Sequence, residues 1–421
     1  MNNQGQPQDR QSLLTSAAAR TAWLVVALLW PVALLNYLDR QMLAAMKSSV
    51  MHDLPSIGSE ANWGFILGQF KWVYAILSPV GGYIADRFGR RFTICGSLLV
   101  WSAVTWATGH VTTYDGLLLA RSLMGISEAF YIPAALALIT DYHSGDTRSR
   151  AVGWHQMAIY LGVIVGGFSG YAADSTTLGW RYAFDACGLA GIAYAIPLVF
   201  LLRDAPKSAA ALAVPKNTIG QSAKELLGNG AFILLVLYFT LPALAGWVVR
   251  DWMPAILKQQ FHIAQGPAGV AATSSWQIAA MVGAILGGWL ADRWMRHHER
   301  GRIFVSAIGM GLIIPAIFGV GNAGNLTVAV LFLALFGLGW GFFDGNNMPI
   351  LCQIVRPELR ATGYGIMNLV SISCGGFADW GFGTLRDREV PLNLIFGVFA
   401  ATAMVSIVLV LLIRPKPANG P

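Results

Sequence analysis

The sequence predicts an all-α, polytopic membrane protein in which twelve transmembrane helices form two six-helix pseudo-repeats. Of its 421 residues, 55% are hydrophobic and only 12% are charged, whereas about a quarter of the residues of an ordinary soluble domain carry a charge. Apolar runs of about 20 residues, long enough to cross the hydrocarbon core of a bilayer, recur along the whole chain. We expect spans at 20–46, 62–85, 92–110, 115–141, 150–172, 182–202, 230–257, 268–291, 303–321, 325–352, 361–382 and 391–413.

The longest hydrophilic stretch divides these spans into six and six. It is basic, contains two prolines and lies between the sixth and seventh apolar runs. The predicted organisation is an N-tail (1–19), an N-terminal six-helix bundle (20–202), a linker (203–229), a C-terminal six-helix bundle (230–413) and a C-tail (414–421).

The formal net charge of +7 reflects membrane topology rather than nucleic-acid binding. Most of the 28 Lys and Arg residues fall in the tails, in the linker and in the loops after the second, fourth, eighth and tenth spans. These segments all lie on one side of the predicted membrane, and positive loops face the cytoplasm. We therefore expect a multi-pass protein of the inner (plasma) membrane with both termini in the cytoplasm.

The two halves of the chain repeat each other. The segment GGYIADRFGRR at 81–91 recurs as GGWLADRWMRHHERGR at 287–302, and EAFYIP at 128–133 is echoed by DGNNMP at 344–349. Internal duplication of a six-helix unit is typical of alternating-access carriers, whose substrate site lies at the membrane midplane between the repeats.

The 81–91 segment, placed between the second and third spans, closely resembles the signature loop of the major facilitator superfamily. The segments NYLDRQ at 36–41 and ARSLMGISEAFYIP at 120–133 resemble the anion:cation symporter branch, which includes sugar-acid transporters and sialin, and Spinster-like carriers share much of this pattern. The resemblance implies an alternating-access transporter, with proton coupling at Glu128 and Asp39 and contact with a substrate carboxylate at Arg40.

The signature loop has a physical interpretation of its own. A carboxylate at the end of one helix, facing arginines and a neighbouring helix end, can form ion pairs that break when the helices separate. We expect a conformational latch built from Gly82, Asp86, Arg87, Gly89, Arg90 and Arg91, with Asp292 and Arg293 as its counterpart in the second repeat.

Charged and polar side chains inside the spans are the candidate substrate ligands, because hydrocarbon excludes such groups unless they have a function. Asn36, Asp39 and Arg40 are spaced i, i+3 and i+4, so they share one helix face. Lys71, in mid-span, is interpreted as a specificity determinant. The candidate substrate-binding residues are Arg40, Lys71, Asn36, Tyr74, Arg121, His155, Gln156, Trp247, Arg250, Asp344, Asn347, Tyr364 and Asn368.

Four intramembrane cations (Arg40, Lys71, Arg121, Arg250) face four carboxyl groups (Asp39, Glu128, Asp251, Asp344), so protonation of one carboxyl leaves a positive pocket that suits an anion. Two structural alternatives stay open: Arg121 pairs with Glu128, or His155 is a packing residue. Asp251 is expected at the solvated edge of the membrane.

The predicted function is proton-coupled symport, as import, of a small organic anion such as a sugar acid or another carboxylate. The expected partners are this anion, protons and lipid, with no nucleic acid, and we expect a monomer. No cofactor or metal is expected, because the proton gradient supplies the energy and the four cysteines lack metal-site spacing.

Three alternatives remain: a Spinster-like carrier of lysolipids or lipid metabolites, a carrier of neutral glycosides, and a non-transporting membrane receptor. An enzyme is not expected, because neither a nucleophile elbow nor a nucleotide-binding loop is present.

Overall fold

The computed structural model describes residues 6–143, 147–205, 219–356 and 359–415. About half of the predicted linker (206–218) and both ends of the chain lie outside these ranges. Within them, the chain folds into helices α1 (Gln6–Ala45), α2 (Lys47–Asp53), α3 (Glu60–Phe88), α4 (Arg90–Thr108), α5 (Tyr114–Glu128), α6 (Tyr131–Tyr142), α7 (Arg148–Gly167), α8 (Ser169–Asp174), α9 (Gly179–Leu201), α10 (Ile219–Leu227), α11 (Gly230–Phe261), α12 (Gln265–Met295), α13 (Gly301–Gly321), α14 (Leu326–Ile354), α15 (Arg360–Asp387) and α16 (Leu392–Leu412).

Every predicted span corresponds to helix, so the prediction of twelve transmembrane segments in two six-helix halves is confirmed. The fourth span consists of α5 and α6, and the fifth of α7 and α8. Helix α1 begins at Gln6, well before the predicted start of the first span. Nine of the spans in the described ranges are apolar enough to cross a bilayer on length and composition alone; α3, α4 and α15 are the other three.

Helices α3 and α15 tolerate more polar residues because they pack against each other between the two halves. A Cβ on Gly64 would lie 2.3 Å from the backbone oxygen of Asp379, and one on Gly68 would lie 2.8 Å from that of Gly376. The two backbones approach so closely that only glycine fits at these positions.

The fourth span is interrupted next to a candidate proton site. Helix α5 ends at Glu128 and α6 begins at Tyr131, two residues before Pro133. Because proline has no amide hydrogen, it cannot donate the helical hydrogen bond to Ala129. Discontinuous helices of this kind commonly surround the central sites of transporters, where the freed backbone groups face the ligand.

The two halves are closed against each other at one end of the bundle. We call the end that carries the linker the linker side and the other end the far side. On the far side, the Asp387 carboxylate of α15 accepts hydrogen bonds of 2.8 Å from the amides of Glu60 and Ala61 at the start of α3. Asp174 of α8 accepts bonds from the amides of Gln265 (3.1 Å) and Gly266 (2.7 Å) at the start of α12. Each half therefore caps a helix of the other, and the molecule is closed on the far side.

We expect Gly64→Ala to open the far side. The added methyl collides with backbone rather than with a flexible side chain, and overpacking of this kind costs about 1–3 kcal/mol. Spin labels on His52→Cys and Gln259→Cys, which are exposed on opposite halves, should show a longer distance by double electron–electron resonance. Gly96→Ala is the control, since a Cβ there meets nothing within 4 Å; equal distances in both variants would contradict the packing argument.

Candidate functional site

An ion pair between α1 and α5 lies at the centre of the N-terminal half. Arg40 Nε donates to Glu128 Oε2 at 2.5 Å, and the Glu128 side chain has no exposed surface. The Arg40 guanidinium also lies 4.7–4.9 Å from the ring centroids of Tyr37, Phe70 and Tyr74. Rings at this distance stabilise a cation through their electron-rich faces. Arg40 is therefore held by one carboxylate and three aromatic rings.

Asn36 and Asp39 extend this cluster, as their spacing on the helix predicted. Both are buried. Asp39 accepts a hydrogen bond of 3.1 Å from the Thr105 hydroxyl of α4 and lies within electrostatic range of Arg40 and Glu128, while Asn36 lies beside Glu128. The structure thus brings together the three residues assigned on resemblance and adds Thr105.

Two further arginines have no carboxylate within 4 Å among the residues that the structure describes. Arg121, which is 3% exposed, donates to the Met124 sulfur at 3.0 Å and lies 4.4 Å from the Phe70 ring. Arg250 lies 4.9 Å from the Tyr37 ring and 5.5 Å from the Trp247 ring. One open alternative is thereby decided, because the partner of Glu128 is Arg40 and not Arg121.

Lys71 occupies a closed ionic cluster, which corrects its sequence-based interpretation as a substrate ligand. Its ammonium donates to Asp251 of α11 and to Asp379 of α15, and it lies 4.3 Å from the Trp247 ring. Lys71, Asp251 and Asp379 are 3%, 8% and 0% exposed. The expectation that Asp251 is solvated at the membrane edge is therefore wrong. Asp379 was missed, although an aspartate inside an apolar run is itself a signal of function.

Asp344 marks the corresponding region of the C-terminal half. It is half-buried, has no cation within 4 Å in the described ranges, and lies within electrostatic range of Tyr160, Tyr238 and Tyr364. These tyrosines come from α7, α11 and α15. Half-buried side chains from both halves lie in this central region; besides Asp344, they include Arg40, Gln156, Tyr160, Trp247, Arg250, Tyr364 and Asn368. Tyr74 and Asn347 are more deeply buried.

His155 does not belong to this group. It is 1% exposed, and its Nε2 lies 2.9 Å from the Tyr131 hydroxyl. That hydroxyl donates its hydrogen to the Leu29 backbone oxygen at 3.2 Å, so it accepts from the His155 ring. These partners are in the core of the N-terminal half. The assignment of His155 to substrate binding is therefore corrected to packing, the alternative left open by the sequence.

The signature loop is tied within the N-terminal half. Gly89 has a φ of +94° at the turn between α3 and α4, which favours glycine. Arg90 pairs with Asp141 of α6, and the Arg91 amide donates to Asp204 at 2.8 Å. Arg87 is exposed. Gly82 and Asp86 are in α3, but the burial of Gly82 and the side chain of Asp86 lie outside what the structure describes.

The second copy of the loop is similarly local. Arg302 donates to Asp292 at 2.9 Å, and Arg293 lies 5.9 Å from the Trp289 ring. The role of the two loops as a latch stays a prediction, because these contacts lie within single halves.

A polar cavity of about 590 Å³ lies on the far side, outside the closed interface. Lys47 on its wall donates to Glu60 and lies 4.7 Å from the Trp252 ring. Burial lowers the pKa of Lys47, and the Glu60 carboxylate opposes that shift. Arg386, Lys258 and Glu389 also line the cavity, so its walls carry charges of both signs.

The family model of the Major Facilitator Superfamily matches residues 29–378. The chain belongs to this superfamily. It is therefore a membrane transporter rather than an enzyme. It is 28% identical over 384 residues to protein spinster homolog 1 of Xenopus tropicalis, covering 85% of this chain and 72% of that protein.

A second relative is an MFS-type efflux pump of Mycolicibacterium smegmatis, which is 28% identical over 87% of this chain and 85% of its own. Among solved structures, a bacterial homologue of the human lysosomal transporter Spinster, captured inward-facing and occupied, superposes with a TM-score of 0.77 at 20% identity. That match covers 94% of this transporter and 98% of the other chain, and it shows the shared fold.

We expect His155→Ala to lower stability without affecting transport. The substitution leaves the buried Tyr131 hydroxyl short of a partner, which costs about 1–3 kcal/mol, and removes nothing from the space between the halves. Thermal unfolding in detergent and uptake into proteoliposomes measure the two effects separately. Tyr131→Phe is the matched variant and should give a similar loss of stability; abolished uptake by a folded His155→Ala would restore the binding role.

Proposed function

We propose that this transporter carries a small organic anion together with a proton by alternating access. The observation that carries the proposal is the imbalance of charge around Arg40. Arg40, Arg121 and Arg250 lie near two carboxyl groups, Glu128 and Asp39. Asp251 is also within electrostatic range of Arg121 and Arg250, but its carboxylate binds Lys71. Among the described residues, only Arg40 of these three arginines has a carboxylate partner within 4 Å. A buried cation without a partner is costly, so an anionic ligand between Arg121 and Arg250 is favoured.

This charge balance differs from the one expected from the sequence. With Asp379 included, five carboxyl groups face four cations across the central region, so one protonation does not make the whole region positive. The preference for an anion therefore rests on the local cluster of α1, α5 and α11. Lys71 contributes nothing to it, because two aspartates already neutralise that side chain.

Coupling follows from competition for Arg40. While Glu128 is ionised, its oxygen occupies the Arg40 Nε–H at 2.5 Å. A proton on Glu128 weakens this pair and leaves the guanidinium free to bind a substrate carboxylate, often through two hydrogen bonds. When a proton and an anion bind together, the net charge of the cluster does not change. The site can then close without burying an additional uncompensated charge. Asp39, one residue from Arg40, is the proposed second proton site.

The distribution of positive loops supports the orientation. We propose that the linker side faces the cytoplasm of an inner-membrane protein, so the far side, where the two halves are closed against each other, is extracytoplasmic. With an inward proton gradient, symport makes the transporter an importer, and as a monomer it carries one site per chain.

A second candidate substrate is an amphiphilic lipid metabolite. The likeness to protein spinster homolog 1 over 85% of the chain favours it, and the three rings around Arg40 can accommodate apolar groups. A neutral glycoside is disfavoured by the unpaired arginines.

We expect Glu128→Gln to abolish proton-driven accumulation but to retain exchange. Glutamine cannot cycle a proton, yet it leaves Arg40 free for the anion at every pH. Proteoliposomes with an inward proton gradient should accumulate glucuronate or gluconate only with the parent protein, while counterflow of the same anion persists in the variant. Glu60→Gln, which removes a carboxylate paired with Lys47 outside the site, is the control. Undiminished accumulation by Glu128→Gln would refute the coupling assignment.

We expect Arg40→Ala to weaken anion binding by roughly tenfold to a hundredfold, because a hydrogen bond to a charged group contributes about 1.5–3 kcal/mol. Binding is measured as ligand-induced thermal stabilisation with glucuronate, gluconate, glucose and lysophosphatidylcholine. Arg181→Ala is the control, since Arg181 bonds to loop carbonyl oxygens of Gly109 and Val111. Stabilisation by lysophosphatidylcholine alone would establish the second candidate, and unchanged carboxylate affinity in Arg40→Ala would exclude the proposed contact.

A further inference from the structure

The buried cluster of Lys71, Asp251 and Asp379 joins the two halves of the transporter where they are closed. Lys71 is on α3 of the N-terminal half, while Asp251 and Asp379 are on α11 and α15 of the C-terminal half. One ammonium binds both carboxyl groups through their Oδ2 atoms. The carboxyl groups therefore lie close together, and they also contact each other.

Two ionised carboxylates in contact repel each other, and a hydrogen bond between them requires a proton on one. Asp379 is the member with the fewest compensating partners. Its charged neighbours are Lys71 and Asp251, it has no exposed surface, and its Oδ1 has no hydrogen-bond partner among the described residues. A fully ionised, completely buried carboxylate with one donor is strongly disfavoured.

Asp251 is better compensated than Asp379. Besides Lys71, the cations Arg121 of α5 and Arg250 of α11 lie within electrostatic range of it. An ionised Asp251 and a protonated Asp379 therefore leave Lys71 paired with one carboxylate, and no second buried negative charge remains in the cluster. The backbone of Asp379 is simultaneously pressed against Gly64 of α3, so its carboxyl group cannot turn to water while the two helices remain in contact.

We propose that Asp379, in contact with Asp251, binds a proton when the far side closes and releases it to water when α3 separates from α15. The proton comes from the aqueous phase on the far side, forms an O–H bond with the Asp379 carboxylate, and returns to that phase on opening. The site is distinct from Glu128 and regulates closure rather than binding the substrate. The inference rests on alternating access by this transporter but not on the identity of its anion.

The sign of the pH effect follows from linkage. Because the closed state binds the proton more tightly than the open state, acid favours closure, and the ratio of closed to open molecules changes by up to about tenfold per pH unit. Double electron–electron resonance between labels on His52→Cys and Gln259→Cys, in a background without the native cysteines and without added substrate, measures this ratio from mildly acidic to mildly alkaline buffer.

Asp379→Asn mimics the protonated residue, so it should remain closed across the whole range. Asp387→Asn is the matched control, because Asp387 is on the same helix and also bonds to α3 but is exposed and outside the cluster. It should shift the ratio toward the open state by the same factor at every pH, while the slope of that ratio against pH stays that of the parent. His110 and His262 are present in both variants, so a histidine contribution would survive in Asp379→Asn.

Infrared difference spectroscopy gives a direct readout of the proton. The carbonyl-stretch band of a protonated carboxylic acid should be present in the closed parent and lost in Asp379→Asn, and in Asp387→Asn its intensity should follow the fraction of closed molecules. If Asp379→Asn does not fold, Asp251→Asn replaces it and should also lose the pH response, since Asp379 is then left alone with Lys71 and stays ionised.

A parent protein without a pH response, or an asparagine variant at either cluster position with the response of the parent, would overturn the proposal. Because no substrate is added, failure of anion coupling at Glu128 leaves these measurements unaffected, and the two proposals can fail independently.

Discussion

The fold depends on keeping charged side chains compensated inside a medium of low dielectric constant. An ionised group at the centre of a bilayer costs at least about 2.5–3.5 kcal/mol, and removing one partner of a buried pair costs about 3–5 kcal/mol. The helices are arranged accordingly. The interruption after Glu128 permits its carboxylate to reach Arg40, and glycines on α3 permit α15 to approach until Asp379 reaches Lys71.

The two buried ionic clusters differ in a way that matters for a moving protein. Arg40 and Glu128 are on α1 and α5, both in the N-terminal half, so a rigid-body movement of the halves leaves their distance unchanged. This pair responds to ligand or proton rather than to the movement itself. Lys71 and its two aspartates belong to different halves and must separate in every cycle that opens the far side. The Arg40–Glu128 pair is therefore suited to respond to substrate and proton binding, whereas the cluster of Lys71, Asp251 and Asp379 responds to the change of conformation.

The sequence predicts the architecture better than it predicts the pairing. Hydropathy locates all twelve spans because each must be apolar over about 20 residues, and helical spacing groups Asn36, Asp39 and Arg40 correctly. Pairing depends on contacts such as Lys71 with Asp251 and Asp379, which are 180 and 308 residues apart in the chain. No periodicity encodes a contact of that kind.

The errors over Asp251 and Asp379 have a geometric cause. The predicted seventh and eleventh spans end at 257 and 382, whereas α11 continues to Phe261 and α15 to Asp387. Both aspartates are therefore deeper in the bundle than their distance from a predicted span end indicates. His155 was misassigned for a related reason, since the spacing on α7 does not reveal which face packs against Tyr131. The sequence also does not show that the two repeats differ in how their carboxyl groups are paired. Glu128 and Asp344 occupy corresponding positions, yet Glu128 is held by Arg40 while Asp344 lies among tyrosines. Among the described residues, only the N-terminal carboxyl group has an arginine within 4 Å. A proton on Glu128 and an anion on Arg40 therefore replace the same ion pair in the N-terminal half. The C-terminal half contributes Arg250 and polar side chains from across the site.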